Sequence, residues 1–462
     1  MSMVQSPQFF GEVPPILPKP KISRWPALAA WLVIIGCLAY ISYRNNHSAQ
    51  LKSVTEEVGQ MQLKLGVQMN MARKSLAEKT GRKLPESDRA SDRMFSSMEQ
   101  KAQSSEDKLR LAIFAGEAQG EAAALNKLDQ LSKSSPPAEQ MADITTLRML
   151  YTQGVAAVSE QDREGLVKRL GYFGNLALAY GVPENTEPRK SLEAEAQHKL
   201  IQVGLVGLGA MVLVVASLVL FVIVIVQLVK KKFSHAYLAM PSTHSVYLEG
   251  FALYLVLYLL LGLIIRQFGS VSLPWYLPAL LIIPLIMFWA RWRGATADEQ
   301  RRAFGWHLGQ GLSQEIGAGL FGYIAGLPIF FAGAVLSAIL VHVTHVQPYA
   351  SPIDDMTKGH AGQILALYVL VCGFAPLMEE TMFRGVLFHH LRGRWGWLAS
   401  AGITAFIFGA IHPYGWVAIP ALGSLAMVFA ALREWRGSII ASMTAHACHN
   451  FLATTLLLML LR

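Results

Sequence analysis

The sequence predicts an all-α, polytopic membrane helical bundle of about nine transmembrane helices, with an inserted extracytoplasmic helical domain. Three observations carry that expectation. The 462-residue chain is 53% hydrophobic and only 15% charged, too apolar for a soluble protein of this size. Several apolar runs approach or exceed the roughly 20 residues that cross a hydrocarbon core. Between the first two of them lies a long polar stretch, 44–199, rich in Ala, Leu, Glu, Lys and Gln. The formal charge of +9 fits Lys and Arg gathered in cytoplasmic loops, so no nucleic-acid partner is expected. Cys37, Cys372 and Cys448 all lie in apolar runs without metal-ligand spacing and read as packing residues.

Residues 1–24 set Pro14, Pro15, Pro18 and Pro20 beside Lys19, Lys21 and Arg24, which predicts a cytoplasmic tail. The apolar run 25–43 is long and lacks a small-residue cleavage site, so it reads as an uncleaved first anchor. Helical periodicity returns within 44–199, over 106–131 and 145–172, with a coiled-coil-like stalk near 54–75. Breaks fall at Ser134-Ser135-Pro136-Pro137 and Gly181-Val182-Pro183. This domain holds no nucleophile motif and only His47 and His198, so it is read as a spacer or as the binding site of an envelope partner. A second transmembrane helix with a basic stop, Lys230-Lys231-Lys232, occupies 200–232, and a transmembrane pair occupies 245–304, with spans at 247–266 and 275–292. The last segment, 305–462, carries spans at 316–341, 364–391, 397–412, 417–432 and 438–461. Arg291, Arg293, Arg301 and Arg302, then Arg392 and Arg394, then Arg433 and Arg436, fall in alternate loops. The positive-inside rule puts those loops and the N-terminus in the cytoplasm and 44–199 outside. The expected setting is the lipid bilayer of a bacterial cytoplasmic (inner) membrane.

Charged groups at membrane depth are costly and therefore informative. Glu379 and Glu380 are adjacent in the apolar run 364–391, with Arg384 one turn on. Glu380 and Arg384 share a helix face and can neutralise each other. Glu379 is rotated by about 100° and has no local partner. Phe408 and His412 share a face of the next span, and His446 and Asn450 share a face of the last. Glu379 lies about 15 residues before the middle of the arginine-rich turn near 392–396 and His412 about 18 after it, so both sit about 22–27 Å from that turn. Antiparallel helices would bring them level. His446, about ten residues past the turn at 433–436, is expected at shallower depth.

One carboxylate, two imidazoles and one carboxamide suit hydrolysis of an acyl bond by activated water. Glu379, helped by His412, would take a proton from water, and His446 and Asn450 would donate to the oxyanion of the tetrahedral intermediate. Arg384 would hold Glu380 and fix the helix. His389 and His390 are expected at the membrane edge, His449 behind the site and Glu249 at the headgroup boundary. No H-E-x-x-H, G-x-G-D or P-loop is present. No cofactor is favoured; a divalent metal such as zinc on Glu379, His412 and His446 is the lesser alternative.

Glu379-Glu380-x-x-x-Arg384, Phe408-x-x-x-His412 and His446-x-x-x-Asn450, in this order and membrane context, resemble the three motifs of the CPBP family (CAAX proteases and bacteriocin-processing enzymes, also called Abi proteins), whose best-known members are type II CAAX prenyl endopeptidases. The resemblance covers about 305–461. It implies an intramembrane glutamic endopeptidase with Glu379 and His412 activating water, His446 and Asn450 as oxyanion hole, and Glu380 and Arg384 supporting. The implied substrate is a membrane-associated peptide or protein. The first half of the chain departs from that family and leaves the substrate open. A second reading is a non-proteolytic membrane scaffold or bacteriocin-immunity protein that binds a partner through its external domain.

Overall fold

Regular structure among the described residues of the computed structural model is all helical. Those residues are 24–47, 54–81, 95–96, 98–99, 102, 104–183, 185–231, 236–237, 245–267, 277–348 and 359–461. The expected tail (1–23), Lys232 of the basic stop and Trp275 at the start of the fourth span lie outside them.

The anchor α1 (Trp25–His47) leads to α2 (Val54–Lys79), the expected stalk. Short helices follow: α3 (Ser105–Gln119), α4 (Glu121–Lys133), α5 (Ala138–Gln153), α6 (Glu160–Leu170) and α7 (Tyr172–Leu178). The starts of α3 and α6 are set locally, since Ser104 accepts from the Asp107 N–H and Ser159 from that of Asp162. Val67, Leu109, Phe114, Leu128, Leu147 and Leu166, with others, form one apolar core for these helices. The stalk's partner is α8 (Arg189–Val229), 41 residues without interruption. Gln68 donates to Glu195 at 2.9 Å, Lys64 lies 3.1 Å from the same carboxylate, and Gln197 donates to Ser75. The boundary expected at 199/200 therefore falls inside a continuous helix. Beyond Lys199 its side chains are almost all apolar and most of them are exposed, a surface that suits lipid or another apolar body.

The second half contains α9 (Val246–Gln267), α10 (Ile282–Trp292), α11 (Ala297–Phe304), α12 (Leu312–Thr344), α13 (Ala361–Arg392), α14 (Trp397–Ile411), α15 (Ile419–Arg436) and α16 (Ile440–Leu461). Against nine expected spans, six helices among the described residues are long and apolar enough to cross a membrane, namely α1, α8, α9, α12, α13 and α15 with its leading turn. The apolar helices 278–292 and 397–411 are shorter. The chain is thus a multi-pass membrane protein. Arg392 pairs with Glu434, Arg436 with Glu315, and Arg433 with the carbonyls of Arg302 and Ala303, so the arginine-rich turns gather at one end of the bundle. Lys199, at the foot of the outer domain, donates to the Met459 carbonyl at the far end of α16. The outer helices sit at the end opposite the arginines.

Close packing of α12 on α15 and α16 depends on small residues. A Cβ on Gly326 would collide with Val428, and one on Gly319 with the Ala441 carbonyl and Thr444. The backbone can approach there because no side chain intervenes. The anchor α1 packs against α9 and α14, whereas α8 packs against α12. The outer domain is therefore fastened to the bundle through two separate helices.

Candidate active site

The catalytic candidates hang on α13, α14 and α16, and α13 is not a uniform helix. Its turns widen to i→i+5 bonding over Val369–Phe374 and again over Thr381–Leu387. Pro376 accounts for the first, since it has no N–H for the carbonyl four residues back and its ring crowds that carbonyl. Carbonyls loosened in this way seek other donors. Val371 accepts from the Asn450 side-chain amide at 2.6 Å, and one turn away Tyr368 bonds to Thr455 at 2.7 Å. These contacts fasten α13 to α16. The second wide segment carries Arg384 directly below the two glutamates.

Arg384 and Glu380 are both fully buried and meet at 3.0 Å. The other arm of the guanidinium donates to the Ala426 carbonyl at 3.0 Å. Phe408 and Phe429 flank the cation, with 4.9 and 5.1 Å between its carbon and their ring centres. Glu380 is not confined to Arg384. The same Oε1 lies 3.0 Å from Nδ1 of His446. That imidazole stacks on Phe429, centroids 4.9 Å apart at 23°. A carboxylate expected to serve one arginine therefore also orients a histidine on another helix.

Glu379 points the other way. Its Oε2 is buried without a hydrogen-bond partner, 3.9 Å from His412 Nε2 and 3.8 Å from His446 Nε2. His412 is the residue at which α14 ends, in extended conformation (φ −74°, ψ 145°), as expected before Pro413. Its Nδ1 lies 2.6 Å from the Phe408 carbonyl, which can only accept. Nδ1 therefore carries the proton, and in the neutral ring the Nε2 lone pair faces Glu379. Glu379 and His412 keep 21% and 19% side-chain exposure, whereas Glu380 and Arg384 have none, so access is confined to the Glu379 side.

The structure thus brings Glu379, Glu380, Arg384, Phe408, His412 and His446 together, and places Asn450 one turn beyond His446. The expectation that His446 lies shallower than Glu379 is corrected, since it touches both carboxylates. The turn between α15 and α16 is itself inside the bundle. Arg433, Ser438 and Ile439 are at most 1% exposed, and the Arg433 charge is met by the carbonyls of Arg302, Ala303 and Arg384 rather than by water. A second correction concerns His389 and His390, which are buried rather than interfacial. Tyr237 meets His389 at 2.6 Å and Arg394 lies 3.0 Å from His390. His449 faces Tyr323 and Phe330 on α12. Glu249 is clamped by Arg293 and Ser245. Arg433, expected in a cytoplasmic loop, is instead fully buried, and Phe429 was not singled out; Glu434 next to Arg433 made it read as ordinary loop charge. Among the described residues no group of three or more His, Cys, Asp or Glu side chains has the arrangement of a metal site.

Residues 361–452 match the family model described as Type II CAAX prenyl endopeptidase Rce1-like. The match contains α13 to α16 as far as Asn450, and with it every residue of the cluster. It agrees with the resemblance read from the three motifs. No curated protein and no solved structure matches the chain.

Proposed function

We propose, from the match of residues 361–452 to this endopeptidase family model, that the chain is an intramembrane glutamic endopeptidase acting on membrane-associated peptides or proteins. One observation carries the reading: a buried carboxylate oxygen on Glu379 that has no hydrogen bond and faces two imidazole Nε2 atoms at 3.9 and 3.8 Å. Gaps of that size between polar groups suit a water bound among them.

In this reading Glu379 accepts a proton from the attacking water while the His412 lone pair orients it. Oxygen adds to the scissile carbonyl, and the oxyanion is met by His446 Nε2–H and by the Asn450 N–H not engaged with Val371. Glu379 then passes its proton to the leaving amine as the tetrahedral intermediate collapses. For His446 to donate from Nε2 while Nδ1–H serves Glu380, both ring nitrogens must carry protons. Two carboxylates against one arginine leave the cluster one positive charge short of balance, and an imidazolium at His446 supplies it. Glu380 is then a positioning residue for His446, and Arg384 positions Glu380.

The site is taken as metal-free, with water activation by Glu379 alone. The arginine-rich end is taken as cytoplasmic, which puts 44–199 outside a bacterial inner membrane, where it is available to an envelope partner. The test is cleavage of a quenched peptide library, with and without a C-terminal prenylcysteine motif, by the purified chain in detergent. The native chain should cleave, and Glu379→Gln, His412→Ala and His446→Ala should each lose at least about a hundredfold, as expected for a lost general base or oxyanion donor. Equal activity in all three variants would overturn the assignment.

A further inference from the structure

At the arginine-rich end, away from the proposed catalytic cluster, α11 and the loop after it enclose a cavity of about 470 Å³. Asp298, Arg301, Arg302, His307, Leu308 and Gly309 line it. Both arginines are exposed, and the Arg301 side chain has no hydrogen bond or ion pair among the described residues. His307 is a fixed wall: its Nδ1 accepts from the Gly309 N–H and its Nε2 donates to the Gly437 carbonyl at 3.0 Å. Burial, with Arg433 close by, holds its basicity below the ordinary imidazole value, so it remains neutral. The cavity therefore offers two cations, one opposing carboxylate and a neutral ring.

Its surroundings are apolar. Trp306, Leu308 and Leu312 stand 42%, 61% and 53% exposed on one side, and Phe288 and Trp292 at the end of α10 stand 66% and 68% exposed. The cavity thus lies in the stretch of chain that joins two apolar helices, α10 and α12, at the arginine-rich end of the bundle. We propose that it binds a phosphate group, and that the phosphate is the headgroup of an anionic phospholipid whose acyl chains lie along α10 and α12. Planar, permanently charged guanidinium groups suit phosphate oxygens. Exposed tryptophan and leucine at the rim suit a lipid rather than a free ion.

The floor of this cavity is fastened to the catalytic helix. Trp306 donates to Thr381 at 3.2 Å, beside Glu380. Arg433 bonds the carbonyls of Arg302 and Ala303 with one nitrogen and that of Arg384 with another. Gly305, at φ +68°, lets that guanidinium pass, since a side chain there would occupy its place. A headgroup held by Arg301 and Arg302 orders the segment that supports Thr381 to Arg384. The proposal stands whether or not the cluster is a protease site.

The experiment measures thermal unfolding of the purified full chain in a neutral detergent titrated with dioleoylphosphatidylglycerol, dioleoylphosphatidylcholine or inorganic phosphate. Phosphatidylglycerol is expected to raise the melting temperature with a saturating dose curve, and phosphatidylcholine to leave it unchanged at equal concentration. Arg301→Gln, which removes an exposed and unpartnered side chain, should weaken the phosphatidylglycerol midpoint about tenfold. Asp298→Asn, which removes the opposing carboxylate, should tighten it. A rise with inorganic phosphate equal to that with phosphatidylglycerol would keep the anion site and overturn the lipid as its source. No response to either anion, or an unchanged midpoint in both variants, would overturn the site itself.

Discussion

Removing Arg384 separates two consequences of the buried pair. In Arg384→Met, Glu380 keeps His446 but loses the guanidinium in a position without solvent access, and the cluster of two carboxylates is left with one cation too few. Breaking a buried pair on one side costs about 3–5 kcal/mol, because the surviving charge is uncompensated. The Ala426 carbonyl also loses its donor, worth about 1–3 kcal/mol where no water replaces it. A loss of about 4–8 kcal/mol follows, comparable to the whole stability of many domains. Glu380→Gln placed on top of Arg384→Met removes the stranded charge while its amide oxygen still accepts from His446. The double variant should therefore regain about 3 kcal/mol of that loss, a coupling readable in a double-mutant cycle. Unfolding of the four proteins in the same detergent, followed by helical circular dichroism against denaturant, gives the four free energies. If the double variant is no more stable than Arg384→Met, Glu380 is not held ionised by Arg384 and the account of the pair fails.

Glu379→Gln is expected to abolish cleavage while leaving the unfolding midpoint unchanged or slightly higher, because Glu379 Oε2 has no hydrogen bond to lose. A clear drop in stability would make Glu379 a structural acid. Arg384→Lys keeps the charge but cannot reach Glu380 and Ala426 together or lie flat between Phe408 and Phe429; it should cost about 2 kcal/mol in the same unfolding assay. Gly326→Leu should cost about 1–3 kcal/mol through collision with Val428 and separation of α12 from α15, whereas Gly204→Leu, whose position meets no neighbour, should be neutral. Cleavage that survives prolonged treatment with a chelator of divalent metals is expected of the metal-free mechanism; loss on chelation and recovery with zinc would replace it.

Apolar length and loop charge were enough to read the helical membrane class and place most helix ends within a few residues. The third span expected at 247–266 is α9 at Val246–Gln267, and the sixth expected at 364–391 is α13 at Ala361–Arg392. The levelling of Glu379 with His412 came from counting outward from one turn, which works because both helices leave a turn at the bundle end. The same counting misplaced His446, because its turn is buried and no local pattern marks a buried turn. Glu380–His446 and Asn450–Val371 join residues 66 and 79 positions apart, and depend on the wide turns of α13. Only Pro376 hinted at those. His389 and His390 misled for a related reason: their proximity to Arg392 suggested the surface, while Tyr237, from a distant segment, covers the first of them.

The length of α8 has a mechanical meaning. Its 41 residues make a rod about 60 Å long, about a quarter of it, up to Lys199, beside the stalk and the apolar remainder packed against α12. Such a rod does not absorb torque along its axis as a loop would. A partner that twists the outer domain would turn α8 as one body. The first surface to feel it is the glycine-lined face through which α12 touches the two helices that carry Arg433 and His446. The 44–199 domain and His446 would then be opposite ends of a single lever, with α12 as its fulcrum.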